Sequence, residues 1–506
     1  MPKAILSVHD KTGLVYFAQG LSNLGWSIIA SGGTARLLSE NHIEVQEVAE
    51  YTGSPEILGG RVKTLHPSIH GGLLARDTLS DQRELLNLGW DYIDLVAVNL
   101  YPFELTISKP ESTLEDAIEN IDIGGVTLIR AAAKNFSRVT LVCDPSDYPA
   151  VLAEIKAGGV TQQTRQKLAL KGFSMTAHYD SAIQGYLSEL ADPNRVDSPL
   201  NLRLYPISRL RYGENPHQEA ALYAYQPDSG PLGGKLLQGK ALSYNNLLDL
   251  DAAWRAAVSY QSPTVCIVKH LSPCGIASAS NLEQAFQLAL ASDPISAFGG
   301  VIATNQVFDE KIAQALGELF VECIIAPGFT PKAQEVLSKR KNLRLVSMPD
   351  IHIQPLYELR SVNQGLLRQS IDQGDPKSSN WQVVGQRSPT EDEWRSLRFA
   401  WKACQHVKSN AIVFAQGEAT VGIGGGQPNR VDCVRIAAMH AGEKAQGAVM
   451  ASDAFFPFPD SVEEAAKAGI TAIVSPGGSV RDAESIAMAD AHGIAMVFTG
   501  VRHFRH

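Results

Sequence analysis

The sequence predicts an α/β protein of more than one domain, built on largely parallel β-sheets with helices on both faces. Short apolar runs rich in β-branched residues alternate with amphipathic helical patterns along the whole chain. Alternation of this kind is typical of parallel sheets covered by helices. The chain has 506 residues, which is long for one domain. A polar segment bracketed by prolines at 191–199 interrupts the alternation and predicts a boundary between residues 195 and 196.

Four buried strands are predicted in the first domain, residues 1–195, with helices between and after them. The strands are Ala4–Val8, Ile28–Ser31, Leu95–Asn99 and Val139–Cys143. The helices are Leu14–Leu24, Ala35–Ser39 and Thr161–Ala177.

The second domain, residues 196–506, contains two runs of the same α/β rhythm, at about 201–360 and about 380–506. Strands are predicted at 265–270, 300–304, 323–326 and 343–347, and again at 411–415, 448–451, 470–474 and 494–498. The two runs share rhythm but not residue identity, so the pattern only suggests an internal duplication. The stretch 361–380 is polar, and residues 374–379 within it are predicted to be a loop.

Composition argues against several classes of protein. A net charge of −9 argues against non-specific nucleic-acid binding. The six cysteines are scattered without a C-x-x-C pair, so neither a zinc signature nor a disulfide framework is indicated, and a reducing cytosol is expected. No run approaches the ~18 apolar residues of a membrane-spanning helix, and the start of the chain lacks the apolar core of a signal peptide. We therefore expect a cytoplasmic protein without membrane partners.

Glycine-flanked polar residues follow the predicted strands of the first domain. Ser31-Gly32-Gly33-Thr34 follows one strand and opens a helix, where backbone N–H groups and hydroxyls can hold a phosphate. The alternative is a plain strand-to-helix turn with Thr34 near the helix start. Polar groups in similar positions occur in Ser7–Thr12, Gly59–Pro67, Asn99–Phe103, Asp122–Thr127 and Ala131–Asn135. Their number favours a binding site at the carboxyl ends of the strands.

In the second domain, Lys269 and His270 end the apolar run that begins at Val265. We predict that a Ser-Pro-Cys-Gly turn follows them, at residues 272–275. A cation beside an imidazole offers a proton acceptor next to a fixed positive charge. The alternative is a solvated pair at a loop edge. Further candidates are Arg211–Gln218, Gln238–Asn246, Asp293–Gly300, Lys408–Asn410, Gly422–Gln427, Asp453–Phe458 and Arg502–His506.

Two cofactor hypotheses fail on spacing. The glycine run 422–426, predicted to precede a helix, lacks the G-x-G-x-x-G pattern of dinucleotide-binding folds. A zinc deaminase needs P-C-x-x-C after its H-x-E motif. Here Pro273-Cys274 is followed by Ala277 where the second cysteine belongs, so a zinc site would lack a ligand.

Taken together, the motifs closely resemble one family, the bifunctional purine-biosynthesis enzymes. These combine aminoimidazole carboxamide ribonucleotide (AICAR) transformylase with IMP cyclohydrolase. The resemblance covers essentially the whole chain and rests on ordered matches. In the first domain they are SVHDKTGL, SGGT, GGRVKTLHP, NLYPF, IDIGG and AAAKN. In the second they are RYGENPHQ, VKHxxPCG, SAFGG, KSN, the glycine run ending in Gln427, and RHFRH.

The resemblance implies a methylglyoxal-synthase-like cyclohydrolase domain followed by a pair of cytidine-deaminase-like subdomains. It also implies 10-formyltetrahydrofolate as co-substrate, AICAR and its formylated product as substrates, and a structural potassium ion. Members of the family are typically homodimers whose transformylase sites are shared between subunits.

For formyl transfer, the resemblance assigns His270 as proton acceptor, Lys269 as partner of the oxyanion or leaving group, and Asn410 as the amide that orients the reacting centre. Nucleotide binding falls to Arg211, Tyr212, Arg502 and Phe504. The folate side falls to Phe298, Asp453, Phe455 and Phe456. The chain has Ser272 where the family commonly has Asn, and it also departs from the family around Gly425 and Pro428.

For ring closure, the resemblance assigns acid-base and oxyanion roles to Lys63, Tyr101, Asp122 and Lys134. Residues that hold the nucleotide would be Ser7, Lys11, Ser31, Gly33, Thr34, Arg61 and Thr64. An alternative is a single-activity formyltransferase whose first domain only senses a nucleotide or phosphate. Retention of the four acid-base residues argues against it, because a sensor needs phosphate contacts but no proton-transfer groups.

Overall fold

The computed structural model describes residues 1–191, 200–227 and 229–506. The chain divides into two compact units, Met1–Arg203 and Leu204–His506. The boundary predicted between residues 195 and 196 lies outside the described residues.

The first unit is built on a five-stranded sheet in the order β3-β2-β1-β4-β5, with every pair of neighbours parallel. Its strands are β1 (Lys3–Ser7), β2 (Ser27–Ala30), β3 (Gln46–Glu47), β4 (Leu95–Val98) and β5 (Thr140–Val142). The four predicted strands are confirmed to within one residue at each end. The short edge strand β3 was not predicted, because its two polar residues carry no apolar pattern.

The helices of the first unit connect these strands. They are α1 (Leu14–Asn23), α2 (Gly32–Glu40), α3 (Val48–Thr52), α4 (Pro67–Leu74), α5 (Leu79–Asn87), α6 (Phe103–Ile107), α7 (Leu114–Glu119), α8 (Gly124–Lys134), α9 (Tyr148–Lys156) and α10 (Gln162–Ala191). In the central strand β1, Leu6 packs with Phe17 on one face of the sheet. Its neighbour Ile5 packs with Leu128 on the other face. Both faces are therefore apolar, as expected of a parallel sheet buried on both sides.

The second unit contains more elements. Its strands are β6 (Tyr205–Arg209), β7 (Ala221–Ala224), β8 (Lys235–Gln238), β9 (Thr264–Lys269), β10 (Ser272–Ser278), β11 (Gly300–Thr304), β12 (Val321–Ala326), β13 (Arg344–Ser347), β14 (Tyr357–Val362), β15 (Gly365–Ser370), β16 (Gln382–Val383), β17 (Ala411–Gln416), β18 (Ala419–Gly425), β19 (Val449–Ser452), β20 (Ala472–Ser475) and β21 (Ala495–Phe498). Its helices are α11 (Tyr244–Val258), α12 (Leu282–Ser292), α13 (Pro294–Ala297), α14 (Glu310–Ala315), α15 (Pro331–Ser338), α16 (Glu391–Cys404), α17 (Arg430–Ala441), α18 (Asp460–Lys467) and α19 (Asp482–Ala491).

The suggested internal duplication is confirmed by the main sheet of this unit. Twelve strands run in the order β16-β21-β20-β19-β17-β18-β10-β9-β11-β12-β13-β8. This order is symmetric about the contact between β10 and β18. In each half, an antiparallel hairpin is followed by one antiparallel strand, two parallel strands and an antiparallel edge strand. The two repeats thus share one continuous mixed sheet, so the expectation of a largely parallel sheet is corrected here.

The strand directions bring the candidate residues of the second unit to one end of the sheet. Strand β9 ends there, whereas β10, β11 and β17 begin there. Strands β19 and β21 also end there. This end therefore carries Lys269, His270, Asn410 and the segments that follow Ser452 and Phe498.

The glycine run precedes helix α17, as predicted, and its residues 422–425 lie inside strand β18, on which α17 packs directly. A Cβ atom on Gly424 would lie 2.0 Å from the carbonyl oxygen of Cys433. In the polar stretch 361–380, the residues up to Ser370 belong to an exposed hairpin of β14 and β15, and the loop predicted at 374–379 lies between β15 and β16. Among the described residues, no helix is long and apolar enough to cross a membrane.

Candidate active sites

A cavity of about 650 Å³ opens at the carboxyl ends of the first unit's strands. It is lined by every residue predicted for ring closure except Lys134. The predicted lining residues are Ser7, Lys11, Ser31, Gly33, Thr34, Arg61, Lys63, Thr64, Tyr101 and Asp122. They come from separate parts of the chain, which meet here because β1, β2 and β4 are parallel and all end at this edge.

One side of this cavity is built to bind an anion. Helix α2 begins at Gly32, and the side chain of Ser31 before it makes no capping hydrogen bond. Its hydroxyl and the first N–H groups of the helix are thus available to a ligand. The Lys11 Nζ donates to Thr34 Oγ1 at 3.0 Å and to the Val8 carbonyl. Burial lowers the pKa of Lys11, whose ammonium lies inside this pocket.

The double glycine at 59–60 makes room for Lys63. A Cβ atom on Gly60 would lie 2.7 Å from Lys63 Cε, and Gly60 has φ +89°, a backbone conformation that favours glycine. The Lys63 Nζ lies 3.1 Å from Glu56 Oε2. A Cβ atom on Gly32 would lie 3.1 Å from the same nitrogen, so Lys63 reaches the start of α2.

Asp122 faces the cavity from the loop before α8. Its Oδ1 accepts a hydrogen bond from the Gly125 N–H at 2.6 Å. Its own N–H donates to the Tyr179 hydroxyl at 2.8 Å, and that hydroxyl donates to the Asn120 carbonyl at 2.8 Å. Burial raises the pKa of Asp122, although hydrogen bonds from Gly125 and Tyr101 act in the opposite direction. A carboxyl of this kind is suited to accepting or donating a proton.

Lys134 is not brought to this cavity. It is the exposed last residue of α8, whose first residues, Gly124 and Gly125, line the pocket. An α-helix rises 1.5 Å per residue, so Lys134 lies about 15 Å along the helix from them. The prediction rested on the resemblance, which carries no information on this distance.

Two further residues shape the same cavity; they lie in candidate segments of the sequence analysis but received no role there. Asn99 Oδ1 accepts hydrogen bonds from the backbone N–H groups of His9 (2.6 Å) and Asp10 (2.9 Å), and this holds the β1–α1 loop in place. The His9 ring lies edge-on to Tyr101, with centroids 5.3 Å apart. Their positions in the sequence indicate this role, since Asn99 ends one predicted strand and His9 follows another.

A second cavity, of about 760 Å³, lies in the second unit. Of the predicted residues, Arg211, Tyr212 and His270 line it. The candidate segment Gln238–Asn246 also lines this cavity, through Lys240, Ser243, Asn245 and Asn246. Polar lining residues outside every candidate segment are Asp249, Glu322 and Arg344. Glu322 accepts a hydrogen bond from Asn246 Nδ2 at 2.8 Å and lies 3.7 Å from Arg344. Glu322 and Arg344 are single polar residues in strands β12 and β13, so no local sequence pattern indicated that they line a cavity.

His270 lies in the two-residue loop of the β9–β10 hairpin. Lys269 pairs with Ser272, so the loop consists of His270 (φ 54°) and Leu271 (φ 64°). Two residues with positive φ at this position are typical of a type I′ turn. The predicted Ser-Pro-Cys-Gly turn is therefore wrong, because these residues belong to β10. Gly275 instead allows α12 to pack closely, since a Cβ atom there would lie 2.0 Å from the Ala289 carbonyl oxygen.

Lys269 is directed toward Phe298. Its Nζ donates a hydrogen bond to the Phe298 carbonyl at 2.7 Å. The Phe298 ring is exposed and lies 5.4 Å from that of Phe320, measured between centroids. The ring is thus free to contact a ligand at the same end of the sheet.

Asn410 belongs to a separate polar cluster. Its Nδ2 donates to the carbonyls of Gln427 (2.8 Å) and Pro428 (3.0 Å), and its Oδ1 accepts from Arg430 at 2.7 Å. Arg430 also forms a buried ion pair with Asp453. Both amide protons and the side-chain oxygen of Asn410 are thus used in hydrogen bonds inside the protein.

The predicted folate-side residues do not all reach the surface. Asp453 is fully buried by its pairing with Arg430, and Phe456 lies in the hydrophobic core. These two predictions are corrected, because α17, β17 and β19 enclose both side chains. Phe455 is 40% exposed and could contact a ligand.

Arg502 and Phe504 lie in the C-terminal tail, outside the second cavity. The Arg502 guanidinium lies 4.7 Å from the centroid of the Phe504 ring. Asn410, at the start of β17, is separated from the end of β9 by the two strands β18 and β10. Within one chain, the predicted formyltransferase residues therefore form two groups.

Comparison with known proteins identifies the family of this chain. Residues 132–440 match the family described as AICARFT/IMPCHase bienzyme, and residues 13–127 match the MGS-like domain. A bifunctional purine biosynthesis protein PurH from Bacillus cereus (strain AH820) is 50% identical over 100% of this chain and 99% of its own length. The chain belongs to the AICARFT/IMPCHase bienzyme family.

Other relatives agree. The PurH proteins of Bacillus anthracis and Bacillus thuringiensis (strain Al Hakam) are also 50% identical over the whole chain and 99% of their own lengths. A solved structure described as the crystal structure of ForH is 41% identical, covers 36% of this chain and 97% of its own, and has a TM-score of 0.33.

As a member of this family, the chain is a bifunctional enzyme, a formyltransferase and an IMP cyclohydrolase in purine biosynthesis. Its substrates are small molecules, and formyl transfer implies a folate donor of one-carbon units. In the part of the chain that the structure describes, no three His, Cys, Asp or Glu side chains are grouped to hold a metal ion.

Proposed function

We propose that the two activities are divided between the two units. The first-unit cavity closes the purine ring, and the second-unit cavity transfers the formyl group from 10-formyltetrahydrofolate to AICAR. The observation that carries this division is the separate placement of the two residue sets. Ten predicted ring-closure residues line one cavity, and His270 lines the other together with Arg211 and Tyr212.

Formyl transfer needs a proton acceptor, because the AICAR amine has its lone pair delocalised into the imidazole carboxamide. In the proposed mechanism this nitrogen attacks the formyl carbon while His270 takes its proton. The Lys269 ammonium stabilises the tetrahedral oxyanion. The bond to the folate nitrogen then breaks, and that nitrogen leaves with a proton. Arg211 and Tyr212, next to His270 in the cavity, hold the nucleotide.

Ring closure is an intramolecular condensation. The carboxamide nitrogen of the formylated nucleotide attacks the formyl carbonyl, and the resulting hydroxyl leaves as water. Holding the two groups together supplies much of the rate. We assign the phosphate to the start of α2 with Lys11 and Thr34. Asp122 accepts the amide proton, and Lys63 and Tyr101 stabilise the oxygen that departs.

We also propose that the active form is a homodimer in which the formyltransferase site is completed by a second subunit. Asn410, Arg502 and Phe504 lie outside the cavity that contains His270 in the same chain. In addition, every residue of β15 is exposed, including Leu366 and Leu367. An isolated two-stranded hairpin is marginally stable in water, so we expect another copy of the chain to cover it. A structural potassium ion stays a prediction from the family resemblance.

Two parallel assays test the division of labour. Purified protein would receive AICAR with 10-formyltetrahydrofolate in one assay and the formylated nucleotide alone in the other. We expect IMP in both. The single-activity alternative, with a first unit that only senses nucleotide, predicts that the formylated nucleotide accumulates in the first assay and stays unchanged in the second.

A further inference from the structure

The last residues of the chain form an extended tail whose side chains alternate in exposure. His503 is buried and Arg505 is partly buried, whereas Arg502 and Phe504 are exposed. The inward side is anchored, because the Arg505 N–H donates to Ser409 Oγ at 3.1 Å and the His503 N–H donates to the Asp453 carbonyl at 3.1 Å. Alternation of this kind turns every second side chain outward.

His503 is held between two carboxylates of the segment that connects the two repeats. Its Nδ1 lies 2.6 Å from Asp372 Oδ2, and its Nε2 lies 2.9 Å from Asp375 Oδ1. Ionised carboxylates only accept hydrogen bonds, so both ring nitrogens must donate and the ring must be an imidazolium. Asp375 also accepts the indole N–H groups of Trp381 and Trp401, each at 2.9 Å, which fixes its position.

The surrounding charges support this state. Burial lowers the pKa of His503, but hydrogen bonds and charge from Asp372 and Asp375 outweigh it and raise the pKa to about 9. The other titratable groups close to this cluster are His406, Lys402 and Arg505. Burial lowers the pKa of His406 to about 3, so this second imidazole stays neutral and does not compete for the carboxylates.

We propose that His503 is a positioning residue of the formyltransferase site, a charged clamp that locks the tail so that Arg502 and Phe504 face the nucleotide. The proposal rests on the proposed role of those two residues in binding AICAR. A chain terminus is poorly ordered unless it is tied down. A tail that is already ordered loses less conformational entropy when the nucleotide binds. The clamp should therefore increase the affinity for the nucleotide.

The test compares His503→Gln with His352→Gln. His352 also pairs with an aspartate, Asp350 at 2.8 Å, but this pair is exposed and makes it a matched control. We expect His503→Gln to raise the KM for AICAR at least tenfold, which corresponds to about 1.4 kcal/mol. The kcat should change much less, because the lost contacts bind the substrate and the transition state equally well. Cyclisation of the formylated nucleotide should not change.

The pH dependence separates the clamp from a merely structural role. In the wild-type protein the KM for AICAR should stay flat up to about pH 8 and rise as the imidazolium loses its proton near pH 9. The rise should be absent in His503→Gln. In Asp372→Asn, a neutral His503 could accept from the new amide and still donate to Asp375, so this variant should keep a near wild-type KM and lose the alkaline rise.

Two results would overturn the proposal. One is an AICAR KM of His503→Gln within twofold of the wild-type value, and the other is an unchanged alkaline rise in Asp372→Asn. Arg502→Ala distinguishes the role of the tail in nucleotide binding from the role of His503 in holding the tail. If Arg502→Ala leaves the AICAR KM unchanged, the proposed role of the tail in nucleotide binding is wrong. If it raises the KM while His503→Gln does not, only the clamp is wrong. Should His503→Gln not fold, Asp372→Asn alone decides.

Discussion

The carboxylate of Asp249 accepts a hydrogen bond from the backbone N–H of Leu271 at 2.6 Å, and a longer one from that of His270 at 3.3 Å. Both donors belong to the two-residue turn in which His270 has positive φ. Non-glycine residues rarely adopt this conformation, and they are found at functional sites when the surroundings enforce it. Asp249 supplies that constraint from α11, on the wall of the cavity where His270 is proposed to act.

We therefore expect Asp249→Ala to slow formyl transfer while leaving ring closure intact. Hydrogen bonds to a charged group are worth about 1.5–3 kcal/mol, which corresponds to a loss of between about tenfold and about a hundredfold in kcat. The measurement is the steady-state rate with AICAR and 10-formyltetrahydrofolate.

Asp309→Ala is the control for this variant. Asp309 also accepts two backbone N–H bonds, at the start of α14, but it lies outside both cavities. It should lose stability without losing kcat. Equal losses of kcat in the two variants would contradict a specific role for Asp249.

Ring closure should depend on the ionisation of Asp122. Burial raises the pKa of this carboxyl, so it holds its proton to a higher pH than an ordinary aspartate. A carboxylate that accepts a proton is active only above its pKa, and the acid limb of cyclisation should therefore lie above the usual aspartate range. Asp122→Asn should lower the rate by about 10²-fold or more and abolish this limb. A profile with the same acid limb in wild type and variant would assign the limb to another group.

The glycine run of β18 should serve packing rather than ligand binding. In Gly424→Ala the new Cβ would overlap the Cys433 carbonyl, so α17 must shift. We expect a loss of about 2 kcal/mol in unfolding free energy, typical of overpacked cores. Gly328→Ala, whose Cβ would meet its nearest neighbour at 4.0 Å, is the control and should be nearly neutral. If chemical denaturation showed equal stability for both variants, the packing argument would fail.

Mixing two variants that are each defective in formyl transfer, at an AICAR concentration well below the KM of Arg502→Ala, tests whether the formyltransferase site is shared. His270→Ala and Arg502→Ala would be unfolded together and refolded, so that half of the dimers contain one of each. If each site takes His270 from one subunit and Arg502 from the other, one of the two sites in a mixed dimer is intact. About a quarter of the wild-type formyl-transfer activity should then return. No recovery, with mixed dimers shown to be present, would place both residues in the same subunit's site.

The sequence predicted the fold of the first unit more completely than that of the second. Four of the five strands of the first unit were found to within a residue, because buried parallel strands such as β4 are short and wholly apolar. The segments around the first cavity were indicated by polar residues that follow parallel strands, whose carboxyl ends meet at one edge, whereas the roles of single residues there came from the family resemblance. The rhythm of the second unit indicated the repeat but could not show that β10 and β18 join the two halves into one sheet.

The remaining misses have a common cause, which is contact between residues distant in sequence. Glu322 and Asn246 pair across 76 positions, and neither carries a local pattern. Pro273 and Gly275 seemed to mark a turn, but tertiary packing of α12 against β10 requires the glycine in a strand. Asp453 appeared in a motif-rich segment and is buried by Arg430. A linear motif indicates that a segment is constrained, and only the fold shows which side chain faces the ligand.

The most direct test of the central claim uses the variant His270→Ala with two substrates. With AICAR and 10-formyltetrahydrofolate, formyl transfer should fall by at least ~10²-fold, the low end for loss of a general base. With the formylated nucleotide, the same preparation should form IMP at the wild-type rate, because ring closure takes place in the other unit. An equal fall in both rates would contradict the assignment of one reaction to each unit.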